Sequence, residues 1–131
     1  MKFLLDTHVI VWLAVDPARI GVPVADRLRS PDTELLLSVA SWWELAIKES
    51  LGRLDGVISP AKLREEWLRR ENVIEVAIRA EHAFDAAALP LVHKDPFDRI
   101  LVAQARTENA TLVTVDAALA AYGVAVLSAA P

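Results

Sequence analysis

The segment His93–Ala105, HKDPFDRILVAQA, places the carboxylates of Asp95 and Asp98 three residues apart at the start of an apolar helical sequence. These residues can serve the helix, with Asp95 as its N-cap, Pro96 as its first residue and Asp98 near its positive end. Carboxylate oxygens are also ligands that hard divalent cations prefer. Helix capping and metal binding therefore both stay open for this segment.

Three further acids follow the predicted strands. Asp6 comes directly after the first strand, Asp116 directly after the fourth, and Glu44 one turn into the helix after the second. Because the carboxyl ends of parallel strands form the ligand crevice of an open sheet, we expect these acids to face one crevice, which Asp98 can join. Each also has an alternative as a helix cap, which for Glu44 is a capping box with Ser41.

Several acids in one crevice need compensation for their charge. Two unpaired carboxylates about 4 Å apart repel by roughly 1–4 kcal/mol, depending on the local dielectric. A divalent cation removes this penalty, and oxygen ligands in a chain without cysteine suit Mg²⁺ or Mn²⁺. Such a site binds phosphate oxygens and can activate a water for attack. The acids therefore predict a metal-dependent phosphoryl or phosphodiester site.

The elements that must position these acids alternate between strand and helix. Short apolar segments predict strands, and longer segments with Ser, Pro or Gly at their ends predict helices. The predicted strands are 2–5, 34–38, 73–78, 111–116 and 124–128, and the predicted helices are 7–15, 23–30, 41–52, 59–72, 80–89, 96–109 and 117–122. Strands that are apolar throughout are buried on both faces, so the pattern predicts an α/β fold with a parallel central sheet flanked by helices.

The composition limits the classes to which the chain can belong. Its 131 residues suit a single domain, and 54% of them are hydrophobic. No apolar run approaches the roughly 20 residues of a membrane span, and the N-terminal MKFLLD lacks the long apolar stretch of a signal peptide. A net charge of −4 argues against wrapping of nucleic acid by bulk charge but leaves local contacts open. With no cysteine, we expect a cytoplasmic protein.

Four segments in this order make the chain similar to a known family: FLLDTHVIVWL (3–13), LSVASWWELAIK (37–48), DPFDRILVAQA (95–105) and LVTVD (112–116). They resemble PIN-domain ribonucleases of the kind found as VapC-type toxins in bacterial toxin–antitoxin pairs. The resemblance covers essentially the whole chain and implies a single PIN-like domain over residues 1–131. It further implies a Mg²⁺-dependent endoribonuclease that hydrolyses RNA phosphodiesters, with Mn²⁺ able to replace Mg²⁺.

The resemblance also assigns the acids. The four family acids match Asp6 in LLDT, Glu44 in WWEL, Asp98 in DPFDR and Asp116 in TVD. These four residues are thereby implied to be both catalytic residues and metal ligands. For the opening segment, the resemblance implies that Asp98 points into the metal pocket, while Asp95 and Pro96 shape the start of the helix that directs it.

Partners are implied in the same way. The resemblance suggests a homodimer face and a groove near the active site that takes a segment of a cognate antitoxin. The four tryptophans fit core or interface positions better than base stacking on RNA; they are Trp12, Trp42, Trp43 and Trp67. We therefore expect RNA as the substrate, a homodimer, an antitoxin that directs a basic residue toward the acids, and no membrane partner.

Five smaller assignments have alternatives. Thr7 and Thr114 can orient carboxylates or water, or can cap backbone groups. Arg99 can touch a phosphate or a site carboxylate, or can form an ordinary salt bridge. For His8 and His93 we expect a structural or surface role, since the spacing of the histidines matches no metal motif such as HExxH.

Two other functions remain as alternatives. A Mg²⁺-dependent phosphatase or phospho-acceptor domain also has acids at this edge, but it needs a DxD motif after the first strand and a lysine near the last strands. The chain has DTH from Asp6 to His8 and no lysine after Lys94. A non-catalytic PIN-fold interaction module is the second alternative, and a metal-binding titration would separate it from a nuclease.

Overall fold

The computed structural model describes residues 1–54 and 59–131. The strands are β1 (Lys2–Leu5), β2 (Glu34–Ser38), β3 (Val73–Val76), β4 (Thr111–Thr114) and β5 (Val126–Ser128). The α-helices are α1 (Thr7–Val15), α2 (Val22–Arg29), α3 (Val39–Ser50), α4 (Pro60–Leu68), α5 (Ala80–Ala88) and α6 (Pro96–Thr107), and 3₁₀ helices cover Pro17–Arg19 and Ala117–Tyr122. No helix in the two described ranges has both the length and the apolarity needed to cross a membrane.

The described strands form one parallel sheet in the order β3-β2-β1-β4-β5, which confirms the predicted fold class. β1 lies in the middle and pairs with β2 and with β4, where Leu5 is opposite Val113. The chain runs outward through β2 and β3 on one side of β1 and continues with β4 and β5 on the other. The crevice of such a sheet lies where the strand order reverses, outside the carboxyl ends of β1 and β4.

Two hydrophobic clusters cover the two faces of the sheet. Residues of β1 divide between them, because successive side chains of a strand point to opposite faces: Phe3 and Leu5 belong to one cluster and Leu4 to the other. The first cluster includes buried residues of α1, α2, α3 and α4, and the second includes residues of α6 and of the second 3₁₀ helix. Burial on both faces explains why the strands are apolar throughout.

Helix α3 begins earlier than the sequence pattern predicts. Its N-cap is Ser38, whose side chain accepts a 3.0 Å hydrogen bond from Ala40 N. The predicted capping box of Ser41 with Glu44 is therefore wrong, since Ser41 lies inside the helix and its hydroxyl accepts a 2.9 Å hydrogen bond from Thr7 Oγ1. Both serines offer a cap oxygen, but Ser38 has the extended backbone that a cap requires.

Other boundaries differ from prediction by a few residues. α4 ends at Leu68 rather than at 72, β3 at Val76 rather than at 78, and β4 at Thr114 rather than at 116. The 3₁₀ helix Pro17–Arg19 was not predicted. The early end of β4 matters for the site, because it frees the residues after Thr114 to turn across the carboxyl edge of the sheet.

Candidate active site at the carboxyl edge of the sheet

Asp6 lies directly after the central strand β1. Its carboxylate is buried, and Oδ2 accepts a 2.7 Å hydrogen bond from Thr114 Oγ1 at the end of β4. Asp6 occupies the N-cap position of α1, but among the described residues its side chain caps no N–H group of that helix. The capping alternative is therefore wrong for Asp6. For Thr114 both alternatives hold, since its hydroxyl orients the Asp6 carboxylate and also accepts a 3.0 Å hydrogen bond from Asp116 N.

Glu44 reaches the same edge from α3, the helix that follows β2. It is buried, and its Oε2 lies 3.3 Å from Nζ of Lys48, one turn further along the helix. The Thr7–Ser41 hydrogen bond links the start of α3 to the start of α1, which follows Asp6. Lys48 was not predicted as part of the site, although a spacing of four residues from a glutamate is the signal for such an ion pair.

Asp95 and Asp98 divide the two roles that were open for the start of α6. Asp95 is the N-cap, with its Oδ1 accepting a 2.9 Å hydrogen bond from Phe97 N, and Pro96 is the first helical residue. Asp98 lies in the first turn, and only 17% of its side chain is exposed. The capping prediction is confirmed for Asp95, and the helix that Asp95 begins directs Asp98 inward.

The surroundings of Asp98 make its ionised form costly. The pKa of Asp98 is raised from 3.8 to about 7. Burial is the largest cause, followed by the negative charges of Asp6 and Asp95, and the charge of Glu44 adds to them. His93 acts in the opposite direction and lowers this pKa. Three of the predicted site acids thus act on one another in a single pocket, and the described residues leave part of their charge unbalanced.

Asp116 joins the pocket through His93. Its Oδ1 caps the following 3₁₀ helix by accepting a 3.0 Å hydrogen bond from Ala118 N, so its capping alternative is confirmed, while its Oδ2 lies 2.9 Å from His93 Nε2. The same Nε2 lies 3.5 Å from Asp98 Oδ2. Because His93 Nδ1 accepts a 3.3 Å hydrogen bond from Asp95 N, the proton of the neutral ring is assigned to Nε2, which donates to Asp116.

These residues fit a divalent cation. One ligand atom from each of His93, Asp98 and Asp116 lies within 4.8 Å of the others, a spacing that can hold a metal ion. In the arrangement described above, however, the Nε2–H of His93 is a donor to Asp116 and not a free metal ligand, so the two carboxylates remain as ligands. Carboxylate oxygens suit Mg²⁺ and Mn²⁺, and a cation would offset the repulsion that raises the pKa of Asp98. A structural or surface role was expected for His93, whereas the geometry places its ring between Asp98 and Asp116. The sequence feature that could have indicated this position is that His93 lies two residues before Asp95.

Arg99 fits neither of the roles that sequence analysis left open. Its buried guanidinium donates to main-chain oxygens at the end of α5 and in the loop that follows: Ala86 O, Leu89 O, Pro90 O and His93 O. Among the described residues, Arg99 forms no salt bridge. The physical reason is that the last carbonyls of a helix lack intrahelical partners, and a guanidinium has five N–H donors to satisfy them.

The tryptophans divide between the core and the surface. Trp42 and Trp67 are buried in the first hydrophobic cluster, as expected for core residues. Trp43 is 59% exposed and packs edge-on against Phe97, with ring centroids 5.2 Å apart. Trp12 is partly buried, and its ring centroid lies 5.5 Å from that of the exposed His8.

A groove of about 500 Å³ begins beside the acids, at Thr7, and is lined by α1, α3 and α4. Trp12 contributes an apolar wall, and the charged lining residues are Asp16, Arg19, Lys48 and Arg53. Arg19 pairs with Asp16 and Lys48 with Glu44, so the groove is mainly apolar with charged groups of both signs. One end of the groove lies at Thr7, the residue after Asp6.

The chain matches the family profile of the PIN domain over residues 3–125, and it belongs to the PIN domain family. Among curated relatives, Ribonuclease VapC22 from Mycobacterium tuberculosis is 33% identical over 122 residues, which cover 91% of this chain and 90% of the relative. Both findings confirm the resemblance to VapC-type PIN-domain proteins that the sequence motifs indicated.

Solved structures share the fold. A chain in the crystal structure of VapBC2 from Rickettsia felis bound to a promoter DNA fragment aligns with a TM-score of 0.72 and 16% identity over 98% of both chains. A chain of VapBC-1 from nontypeable Haemophilus influenzae gives 0.66 and 19%, also over 98% of both. A toxin–antitoxin complex from Klebsiella pneumoniae gives 0.60 and 17%, over 95% of this chain and 94% of that one. At these identities the structures establish the fold alone.

We predict that the contribution of Asp98 to the stability of the metal-free protein falls as the pH rises from about 4 to about 7, because Asp98 loses its proton near pH 4 in the unfolded chain and near pH 7 in the folded protein. The folded state there holds a proton that the unfolded chain has lost, so raising the pH favours unfolding. Asp98→Asn removes this titration and should raise the melting temperature in EDTA at about pH 8 while changing it little at about pH 4. Asp95→Asn removes only one of the charges that raise the pKa of Asp98, so it should reduce this pH dependence without abolishing it. A wild-type pH dependence in Asp98→Asn would contradict the raised pKa.

Proposed function

We propose that the protein is a divalent-metal-dependent endoribonuclease that acts as the toxin of a toxin–antitoxin pair. The observation that carries the proposal is the convergence of acids at the carboxyl edge of the sheet. Asp98 Oδ2 and Asp116 Oδ2 lie 3.5 Å and 2.9 Å from His93 Nε2, and burial together with the charges of Asp6, Asp95 and Glu44 raises the pKa of Asp98 to about 7. Acids with unbalanced charge at the carboxyl edge of a sheet suit a cation and a phosphate. The relative that is 33% identical is named a ribonuclease, which supports RNA as the substrate.

In the proposed mechanism the residues of the chain hold the cation and orient the carboxylates that bind it. The cation would be held by Asp6, Glu44, Asp98 and Asp116. When bound, Mg²⁺ or Mn²⁺ supplies a water of lowered pKa for in-line attack and stabilises charge on the leaving oxygen. The Thr114 hydroxyl fixes the orientation of the Asp6 carboxylate, and the His93 Nε2–H does the same for Asp116. Lys48 offsets part of the charge of Glu44.

The largely apolar groove that begins at Thr7 is proposed to take a segment of the antitoxin. It begins at Thr7, so a segment that fills it can extend to Asp6 and its neighbours. An arginine or lysine of that segment could then pair with the acids and replace part of the charge that a cation supplies. The occurrence of a chain with this fold in a toxin–antitoxin complex supports the proposal.

A homodimer face is proposed on α3 and the residue after it. Trp43, Ile47 and Leu51 are exposed by 59%, 36% and 59%, and their spacing of four residues places them on one side of the helix. Phe97 extends this apolar surface by packing against Trp43. Contiguous apolar surface of this kind usually marks an interface, and a second copy of the chain is its proposed occupant.

Asp98→Asn is predicted to remove RNA cleavage while leaving the fold intact. The loss should exceed the roughly 10- to 100-fold cost of changing a group that only orients a ligand, since a proposed ligand itself loses its charge. Asp95→Asn keeps the capping oxygen and lies outside the proposed ligand set, so it should retain most activity. Cleavage of a mixed RNA pool in Mg²⁺ checks both variants, with circular dichroism as the folding control. Wild-type cleavage by both would exclude the pocket as the active site.

Removal of the metal with EDTA is predicted to stop cleavage, and excess Mn²⁺ to restore it, because both ions accept the oxygen ligands of the pocket. Calorimetric titration of Mn²⁺ into the metal-free protein should show binding that Asp98→Asn weakens. Binding without cleavage would favour the non-catalytic interaction module. Cleavage that persists in excess EDTA would contradict a metal-dependent site.

Co-expression with the protein encoded upstream is predicted to inhibit cleavage through the groove. Trp12→Ala should weaken this inhibition, since it removes an apolar wall of the groove, whereas Trp43→Ala, on the proposed dimer face, should not. Light scattering of the isolated protein should give the mass of a dimer, which Trp43→Ala lowers toward a monomer. A monomeric wild type that the neighbour neither binds nor inhibits would end the toxin proposal and leave the nuclease proposal standing.

A further inference from the structure

The loop between α5 and α6 carries two residues of the candidate site, His93 and Asp95, yet it has no regular secondary structure. Arg99 organises it from inside the protein. The guanidinium donates at 2.7 Å to Leu89 O and at 2.9 Å to Pro90 O, and it reaches His93 O at 3.2 Å. Arg99 thus connects the first turn of α6, which carries Asp98, to the main chain of the loop.

Tyr122, which lies 29 residues after His93, contacts the same loop. Its hydroxyl accepts a 2.8 Å hydrogen bond from His93 N and lies 3.3 Å from His93 O, to which it can donate. Arg99 Nη1 reaches this hydroxyl at 3.4 Å. The ring of Tyr122 is buried in the second hydrophobic cluster with Leu101 and Leu119, so the hydroxyl is held by the core.

The imidazole of His93 depends on this arrangement. Both main-chain polar groups of His93 are engaged by Arg99 or Tyr122, and its Nδ1 accepts from Asp95 N. The ring is therefore held with its Nε2–H directed at Asp116 Oδ2. None of these main-chain contacts is required to form the sheet or to cap α6.

We propose that Arg99 and Tyr122 are positioning residues for RNA cleavage, which act by holding the main chain of His93 so that its imidazole orients the carboxylate of Asp116. The inference rests on the proposed nuclease function. The pair forms no part of the ligand set, and it sets the geometry of one ligand through two steps of hydrogen bonding. Displacement of a ligand by a fraction of an ångström is costly in such sites.

Tyr122→Phe tests the proposal with the smallest change, since the ring stays in the core and only the hydroxyl is lost. We expect kcat for RNA to fall by roughly 10- to 100-fold, with KM unchanged, because substrate contacts are not altered. Thr33→Val is the matched control: it also removes a buried hydroxyl, which donates to Ser30 O at 2.7 Å, but at the opposite end of the sheet. It should lower stability to a similar extent without lowering kcat.

A second measurement does not depend on activity. In ¹⁵N spectra of histidine side chains, the metal-free wild type should show His93 as the Nε2–H tautomer, with His93→Gln providing the assignment. Tyr122→Phe should mix the two tautomers, and Thr33→Val should not. Arg99→Lys, which keeps the charge but cannot span the loop carbonyls, should have the effect of Tyr122→Phe and lower stability as well.

The outcomes separate the inference from the proposed function. Wild-type kcat and tautomer in Tyr122→Phe would overturn the inference while the nuclease proposal stands. An equal loss of kcat in Thr33→Val would overturn it too, since the effect would then be one of stability. If the wild type does not cleave RNA at all, the proposed function fails. The tautomer of His93 in Tyr122→Phe then still decides whether Arg99 and Tyr122 hold the imidazole of His93. Should Arg99→Lys fail to fold, Tyr122→Phe carries the test.

Discussion

Repulsion between carboxylates at one edge of the sheet is the constraint on which the rest of the site depends. Each of three acids has partial compensation nearby: a threonine hydroxyl for Asp6, an ammonium group for Glu44 and an imidazole N–H for Asp116. Asp98 has the least compensation for its negative charge, and its pKa is therefore raised to about 7. The two hydrophobic clusters on the faces of the sheet stabilise the fold and so offset the electrostatic cost of placing these acids together.

Topology explains how acids far apart in the chain converge. β1 and β4 are neighbours in the sheet although more than a hundred residues separate them, and Asp6 therefore lies beside Thr114 at the point where the strand order reverses. Helix α3 follows β2, the other neighbour of β1, and brings Glu44 to the same edge. The crossover into β4 is α6, whose start lies at this edge because it must run back along the sheet. This strand order thus accounts for the positions of Asp6, Thr114, Glu44 and the start of α6.

Sequence alone predicts the parts of this structure that depend on local chemistry. β1, β2 and α1 have the predicted bounds, since apolar runs and their breaks are local features, and the caps at Asp95 and Asp116 follow from residue type. Predicting a helix cap from residue type fails for Asp6, because its carboxylate accepts a hydrogen bond from the hydroxyl of Thr114 on a distant strand. Prediction from residue type fails for Arg99 as well. The partners of that guanidinium are main-chain carbonyls, which every residue type offers and no pattern marks.

The unbalanced charge links catalysis and inhibition in the proposed function. A pocket that leaves Asp98 partly protonated near neutral pH can be completed by any cation that reaches it. A divalent ion and a basic side chain of a partner would then compete for the same acids, and each would favour the ionised form of Asp98. A partner segment in the groove that begins at Thr7 would approach them from the residue next to Asp6. A single electrostatic deficit would therefore suffice both to recruit the metal and to let a partner exclude it.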